Sequence, residues 1–251
     1  MKFRIIPVLL FKNGSLVKSV GFDNHRIVGD VTSSIRVFSK RQADEMIIYD
    51  LDARKKGEFN SNLIKYSVQN CNMPLTMGGG INTLADASRL IDEGCDKISV
   101  STLIHENKNV VLNIAKKYGS QAIVATIDYR TINKKHYVFS HNGKICHGET
   151  NIGKLIKLLT EIGVGEVILS SIDRDGSMTG YDKKVIDNYG NCSKLPLIIS
   201  GGCQSSSDMF FSEKRGFSGA AAGSIFYWKG DSIMSLKSEL RSMGSNVRAV
   251  V

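Results

Sequence analysis

No apolar run in this sequence approaches the roughly 18 residues needed to span a bilayer, and no two cysteines stand in a C-x-x-C spacing. The first absence argues against a membrane protein. The second, with five scattered cysteines at 71, 95, 146, 192 and 203, argues for reduced thiols in a cytoplasmic protein rather than for disulfides or a zinc site. His25, His105, His136, His141 and His147 show no H-x-x-x-H spacing, so neither a metal nor any other cofactor is expected. Missing too is a basic stripe interleaved with aromatics, which sets nucleic acid aside as a partner. Proline occurs only three times against 24 glycines, a balance that suggests many tight strand-to-loop turns. The opening MKFRIIPVLLF lacks a small-residue cleavage site and reads as a first strand rather than a signal peptide.

What is present points to an α/β protein. A 42% hydrophobic content supplies a globular core, and a net charge of +9 suits a phosphorylated small-molecule ligand. Apolar segments near 3–10, 46–51, 74–77, 97–101, 122–127, 166–171, 195–199 and 219–222 alternate with amphipathic stretches, the pattern of successive βα units. Eight such strands in about 250 residues predict a (β/α)₈ barrel.

The chain also repeats itself. EMIIYDLD (45–52) matches EVILSSID (166–173) at a shift of 121. PLTMGGG (74–80) matches PLIISGG (196–202), and VSTLI (100–104) matches AGSIF (222–226), both at a shift of 122. One closed domain over 1–251 is expected, built from half-barrels of about 1–119 and 120–251. In such a barrel the working residues lie at the C-terminal ends of strands. Gly80 with Ser101 and Thr102, and Gly202 with Gly223 and Ser224, would then form two facing phosphate cups. Aligning RIIPVLLF with AIVATIDY pairs Leu10 with Asp128 at a shift of 118. Asp128 ends the fifth strand where a carboxylate can do acid–base work, while Leu10 holds the mirror position and cannot move a proton.

RIIPVLLFKNG, MGGGI, KISVST, IDYR, SSIDRDGSMTGYD, IISGG and the closing NVR together resemble the cyclase subunit of imidazole glycerol phosphate synthase, nearly end to end. The resemblance implies a barrel that receives ammonia from a glutaminase subunit and uses it at the mouth on a bisphosphorylated ribulosyl-aminoimidazole. It implies two catalytic aspartates, of which this chain keeps Asp128 and has Leu10 in place of the other. It further implies phosphate-site roles for Lys18, Asp175 and Gly176 beside the cup residues, and an ammonia gate of Arg4, Glu45, Lys97 and Glu166. Asp50, Asp52 and Ser170, on adjacent strand ends, are candidates to stand in for the lost carboxylate.

An intact gate with half an acid–base pair resembles a paralogous branch of that family. There the barrel is thought to pass ammonia to a sugar amidotransferase acting on surface-polysaccharide sugars. The alternative is the histidine-pathway cyclase itself. A related isomerase of the same fold also uses aspartates ending strands 1 and 5, so Leu10 counts against it equally.

Overall fold

The computed structural model describes residues 1–230 and 232–250. In chain order the strands are β1 (Arg4–Lys12), β2 (Ser15–Val20), β3 (Asp23–Gly29), β4 (Met46–Asp50), β5 (Leu75–Gly78), β6 (Lys97–Val100), β7 (Ile123–Ile132), β8 (Lys135–Ser140), β9 (Ile145–Glu149), β10 (Glu166–Ser171), β11 (Leu197–Ser200) and β12 (Gly219–Ala222). Eight of them, β1, β4, β5, β6, β7, β10, β11 and β12, pair in parallel, and the pairing of β7 with β10 closes the ring. This is a (β/α)₈ barrel. A helix follows each barrel strand, from Val31–Lys40 after β1 to Ile233–Ser242 after β12, and Asp, Asn, Ser or Thr stands at the N-cap of every one of these eight. No helix among the described residues is long and apolar enough to cross a membrane.

Period-two alternation along each strand sorts side chains between two cores. Ile5, Leu9 and Phe11 of β1 point outward to the helices and join one large buried cluster. Ile6 points inward with Ile47, Val124, Ile168, Ile198 and Ala221 to fill the lumen. The barrel is therefore packed at mid-height, and small inward residues on β12 make room for the isoleucines opposite.

Four strands were absent from the periodicity reading, and they form two hairpin extensions. β1 runs two residues past its expected end and folds back through Asn13 and Gly14, both at positive φ, into β2 and then β3. β7 likewise runs on through Asn133 and Lys134, again both at positive φ, into β8 and then β9. Two-residue turns of this hand match strand twist, and the Asn-Gly pair is their usual sequence signal. Each extension leaves the barrel just beyond Leu10 or Asp128, and so stands over the mouth.

Candidate functional site

Leu10 and Asp128 lie on the inward face because they continue the series Arg4, Ile6, Val8 and Val124, Thr126. Both line a mouth cavity of about 190 Å³ together with Lys18, Tyr49, Asp175 and the cup glycines. Burial pushes the Asp128 carboxyl up to about 7; the Ser101 hydroxyl, donating to Oδ2 at 2.8 Å, pulls the other way, and the charge of Asp175 adds to the rise. A carboxyl that titrates near neutrality can both take and give a proton there. Leu10 offers nothing comparable. Nor do the acids beside it: Asp50 accepts from the backbone of Asp52 at 3.1 Å and of Asn60 at 3.0 Å, and Asp52 accepts from Asn13 N at 2.6 Å. These carboxylates hold the loop after β4 and the first hairpin turn. Ser170 pairs in register with Asp128 and lines the cavity, but a hydroxyl does not titrate in this range.

Tyr49, a neighbour of Leu10 in register, crosses the lumen beneath the cavity. Its hydroxyl lies 3.1 Å from Ser99 Oγ and 3.3 Å from Thr126 Oγ1, and those two are 2.9 Å apart. Gly78 permits this, since a Cβ there would stand 2.8 Å from the Tyr49 ring.

The cup residues gather as two groups at the mouth. Gly80 (φ +69°) packs so tightly that a Cβ would meet Arg54 N at 2.6 Å. Ser101 binds Asp128, and Thr102 Oγ1 accepts from His141 N at 3.1 Å. In the second group Gly223 faces Lys18, whose ammonium would stand 2.5 Å from any Cβ placed there. Ser224 lines the same wall. Lys18 Nζ donates to Val8 O at 2.6 Å and sits 5.0 Å from the Tyr227 ring centroid; burial draws its pKa down to about 8 against the pull of Asp175. Asp175 accepts from Ser19 Oγ at 2.5 Å and Phe22 N at 3.2 Å, and Gly21 N reaches its carbonyl at 3.1 Å. Gly176 packs where a Cβ would collide with the Ser19 carbonyl. The side chain of Asp175 thus pins the first hairpin across the mouth, a task suited to a carboxylate that would itself repel phosphate.

At the opposite end Arg4, Glu45, Lys97 and Glu166 form a closed ring of alternating charge. Arg4 Nη1 reaches Glu45 at 2.6 Å and Glu166 at 2.7 Å; Lys97 Nζ reaches the same two at 3.3 and 3.0 Å. Burial opposes the charge of Arg4, yet the two glutamates raise its pKa overall. All four side chains are only 10–17% exposed, so the ring is less superficial than a pair of surface ion pairs.

A family model described as histidine biosynthesis protein matches residues 4–231. This chain belongs to that family, among the HisF-type subunits of imidazole glycerol phosphate synthase. A relative from Leptospira borgpetersenii, named "Putative imidazole glycerol phosphate synthase subunit HisF", is 39% identical over 231 residues, 90% of this chain and 91% of the relative. One from Campylobacter jejuni, with the same wording and the suffix hisF2, is 36% identical over 248 residues, 99% of each chain. An "Imidazole glycerol phosphate synthase subunit HisF" from Sulfolobus acidocaldarius is 37% identical over 246 residues, 98% of each.

Within this HisF-type barrel, sequence reasoning overlooked Tyr49, Arg54 and His141. Tyr49 was legible in principle, since an aromatic on the inward register of a barrel strand, facing a glycine one strand over, must enter the lumen. Arg54 and His141 carried no such signal, because a one-turn helix and a hairpin turn bring them to the mouth.

Proposed function

We propose that this chain is the barrel subunit of a glutamine-dependent amidotransferase pair. Ammonia made by a docked glutaminase subunit enters through the charged ring, crosses the lumen and is used beyond the mouth. The observation that carries this reading is the contrast between a ring whose four charges are all paired and a mouth where the strand-end carboxylate Asp128 has Leu10 at the mirror position. Neutral ammonia can pass a layer of Ile side chains at far lower cost than ammonium can, so a conduit needs an apolar lumen and a partner that excludes water at the entrance. The acceptor we propose is a surface-polysaccharide sugar, modified by a separate sugar amidotransferase for which this barrel is conduit and docking platform. Loss of the strand 1 carboxylate supports that role, because passing ammonia on requires no acid–base pair. The two halves, 1–119 and 120–251, are proposed to derive from one duplicated unit, a reading supported by the matching hairpins after β1 and β7.

The cyclase reaction is the second reading, favoured by Asp128 with its pKa near neutrality. The two are separated by supplying ammonium salts and the bisphosphorylated ribulosyl-aminoimidazole to the purified chain. Turnover at background is expected, with a measurable rise in Leu10→Asp; robust formation of imidazole glycerol phosphate by the unaltered chain overturns the conduit reading. With the glutaminase added, Lys97→Met is expected to weaken glutamine-driven amidation more than ammonium-driven amidation. Equal loss from both sources, or none, makes the ring a structural feature only.

A further inference from the structure

One cluster of charged and titratable groups at the mouth has no part in the conduit or in the work of Asp128. Arg54 belongs to the one-turn helix Ala53–Lys56 and lines the mouth cavity. Its Nη1 donates to Asn82 Oδ1 at 3.0 Å, and the Asn82 amide donates to Gly80 O at 2.9 Å. Its Nη2 donates to Glu106 Oε1 at 2.9 Å and meets His141 Nε2 at 2.8 Å. His141 in turn is held to Thr102 through its backbone N–H. The guanidinium and the imidazole are therefore tied to both walls of the first cup, Gly80 and Thr102.

The hydrogen-bond directions follow from chemistry. Arginine only donates, so in its contact with Arg54 the neutral His141 ring accepts at Nε2 and carries its proton on Nδ1, while Glu106 Oε1, 3.1 Å from the same Nε2, competes for a proton there. Nδ1–H then donates to Ser140 Oγ at 2.9 Å, and the Ser140 hydroxyl donates to His147 Nε2 at 2.8 Å. His147 stacks on His105, with ring centroids 4.0 Å apart and planes 8° off parallel. Burial, then the neighbouring Arg54, lower the pKa of His141 against the pull of Glu106, which favours this neutral state. Burial and then His147 hold His105 down to about 4.

We propose that Arg54 reads the anion in the first cup, and that His141 is a positioning residue that holds the guanidinium over it. This rests on the reading of Gly80, Ser101 and Thr102 as a phosphate site, and it names the ligand there as a tetrahedral dianion such as a phosphate monoester. Three of the five guanidinium N–H groups are taken by Asn82, Glu106 and His141. The other two, the Nε–H and one Nη1–H, have no protein acceptor among the described residues; they lie on different edges of the guanidinium, so either can give a phosphoryl oxygen one charge-assisted hydrogen bond. Glu106 keeps the side chain from swinging into solvent, while the lone pair of His141 fixes the plane of the guanidinium.

Inorganic phosphate at pH 8 is the probe, followed by the amide NMR signals of Gly80 for the first cup and Gly202 for the second. In the unaltered chain both signals should move with phosphate. Arg54→Gln should raise the apparent Kd at Gly80 about tenfold or more and leave Gly202 within twofold. Arg54→Lys, which keeps the charge without the planar guanidinium held by Glu106 and His141, should fall between. His141→Leu should weaken binding at Gly80 as Arg54→Gln does, and His141→Gln, which restores an acceptor, should recover most of it. Identical Gly80 curves for Arg54→Gln and the unaltered chain overturn the assignment of Arg54, and equal loss in His141→Leu and His141→Gln overturns that of His141. If Gly80 does not respond in the unaltered chain, the phosphate reading of that cup fails and this inference with it.

Discussion

The two cups use the same parts and are finished differently. The first, on Gly80, Ser101 and Thr102, is covered by the hairpin beyond Asp128, which brings His141; the second, on Gly202, Gly223 and Ser224, faces the hairpin beyond Leu10, which brings Lys18. Each half of the chain thus reaches over the strand ends of the other. In the second cup the ammonium of Lys18 already occupies the space beside Gly223. In the first, the cation is a guanidinium held to one side by Glu106 and His141. The strands below differ in the same sense. Asp128 is buried with a single hydroxyl donor, whereas Leu10 needs no partner and costs nothing to bury. The contrast teaches that equivalent strand ends keep the same backbone tolerances while the side chains around them differ.

The frame is where substitutions should cost most. Gly79 (φ +105°) and Gly201 (φ +92°) end equivalent strands, and a Cβ on either would strike the carbonyl of Asp50 or Ser171. Ala at either position should cost on the order of 3 kcal/mol or more, read as a large fall in Tm. If only one of them destabilises, the cups do not share a backbone design.

The carboxyl beneath them comes next. Its folded pKa of about 7 lies above the ordinary value of 3.8, so the folded state holds a proton that the unfolded state has lost. Stability contributed by protonated Asp128 is therefore full below about pH 4 and declines as pH rises to about 7. Asp128→Asn should remove that decline and be more stable than the parent by roughly 2–4 kcal/mol at pH 8, with little difference at pH 4. Urea unfolding at the two pH values checks this, and an equal gain at both would mean that Asp128 is not buried as a titrating acid. Leu10→Ala, a cavity change with no charge, should show no such pH dependence.

The bottom ring gives a smaller effect. Lys97→Met leaves Glu45 and Glu166 sharing Arg4 alone, and at 10–17% exposure this should cost about 1–3 kcal/mol. A loss under 1 kcal/mol, as an exposed pair would give, would show the ring to be wet. Smallest of all is the pair of hairpin turns. Lys134 stands at φ +65° where the first hairpin has Gly14, so Lys134→Gly should stabilise by up to about 1 kcal/mol, seen as a small rise in Tm. A fall instead would mean that the second turn relies on the lysine side chain.

The chain by itself determined a great deal here. Apolar runs alternating with amphipathic stretches announced eight parallel strands, and their number with the chain length favoured a closed barrel. Period two put Leu10 and Asp128 on the lumen side, and internal repetition matched them to each other. The Asn13–Gly14 pair carried a hairpin signal that strand periodicity did not use. Apart from the ring of Arg4, Glu45, Lys97 and Glu166, which the family resemblance implied, which charges meet was not legible. Asp50 and Asp52 looked like spare acids at the mouth until the folded chain turned them to backbone N–H groups of neighbouring loops. Asp175, implied as part of a phosphate site, also anchors the first hairpin, a contact that only closure of that hairpin brings about. Arg54 and His141, 87 residues apart, became partners at the first cup only because a one-turn helix and a crossing hairpin meet there. Backbone periodicity is written locally, one strand at a time, and survives in the sequence. Side-chain pairing across a barrel mouth depends on the register of strands joined only by closure, so it exists only once the ring has formed.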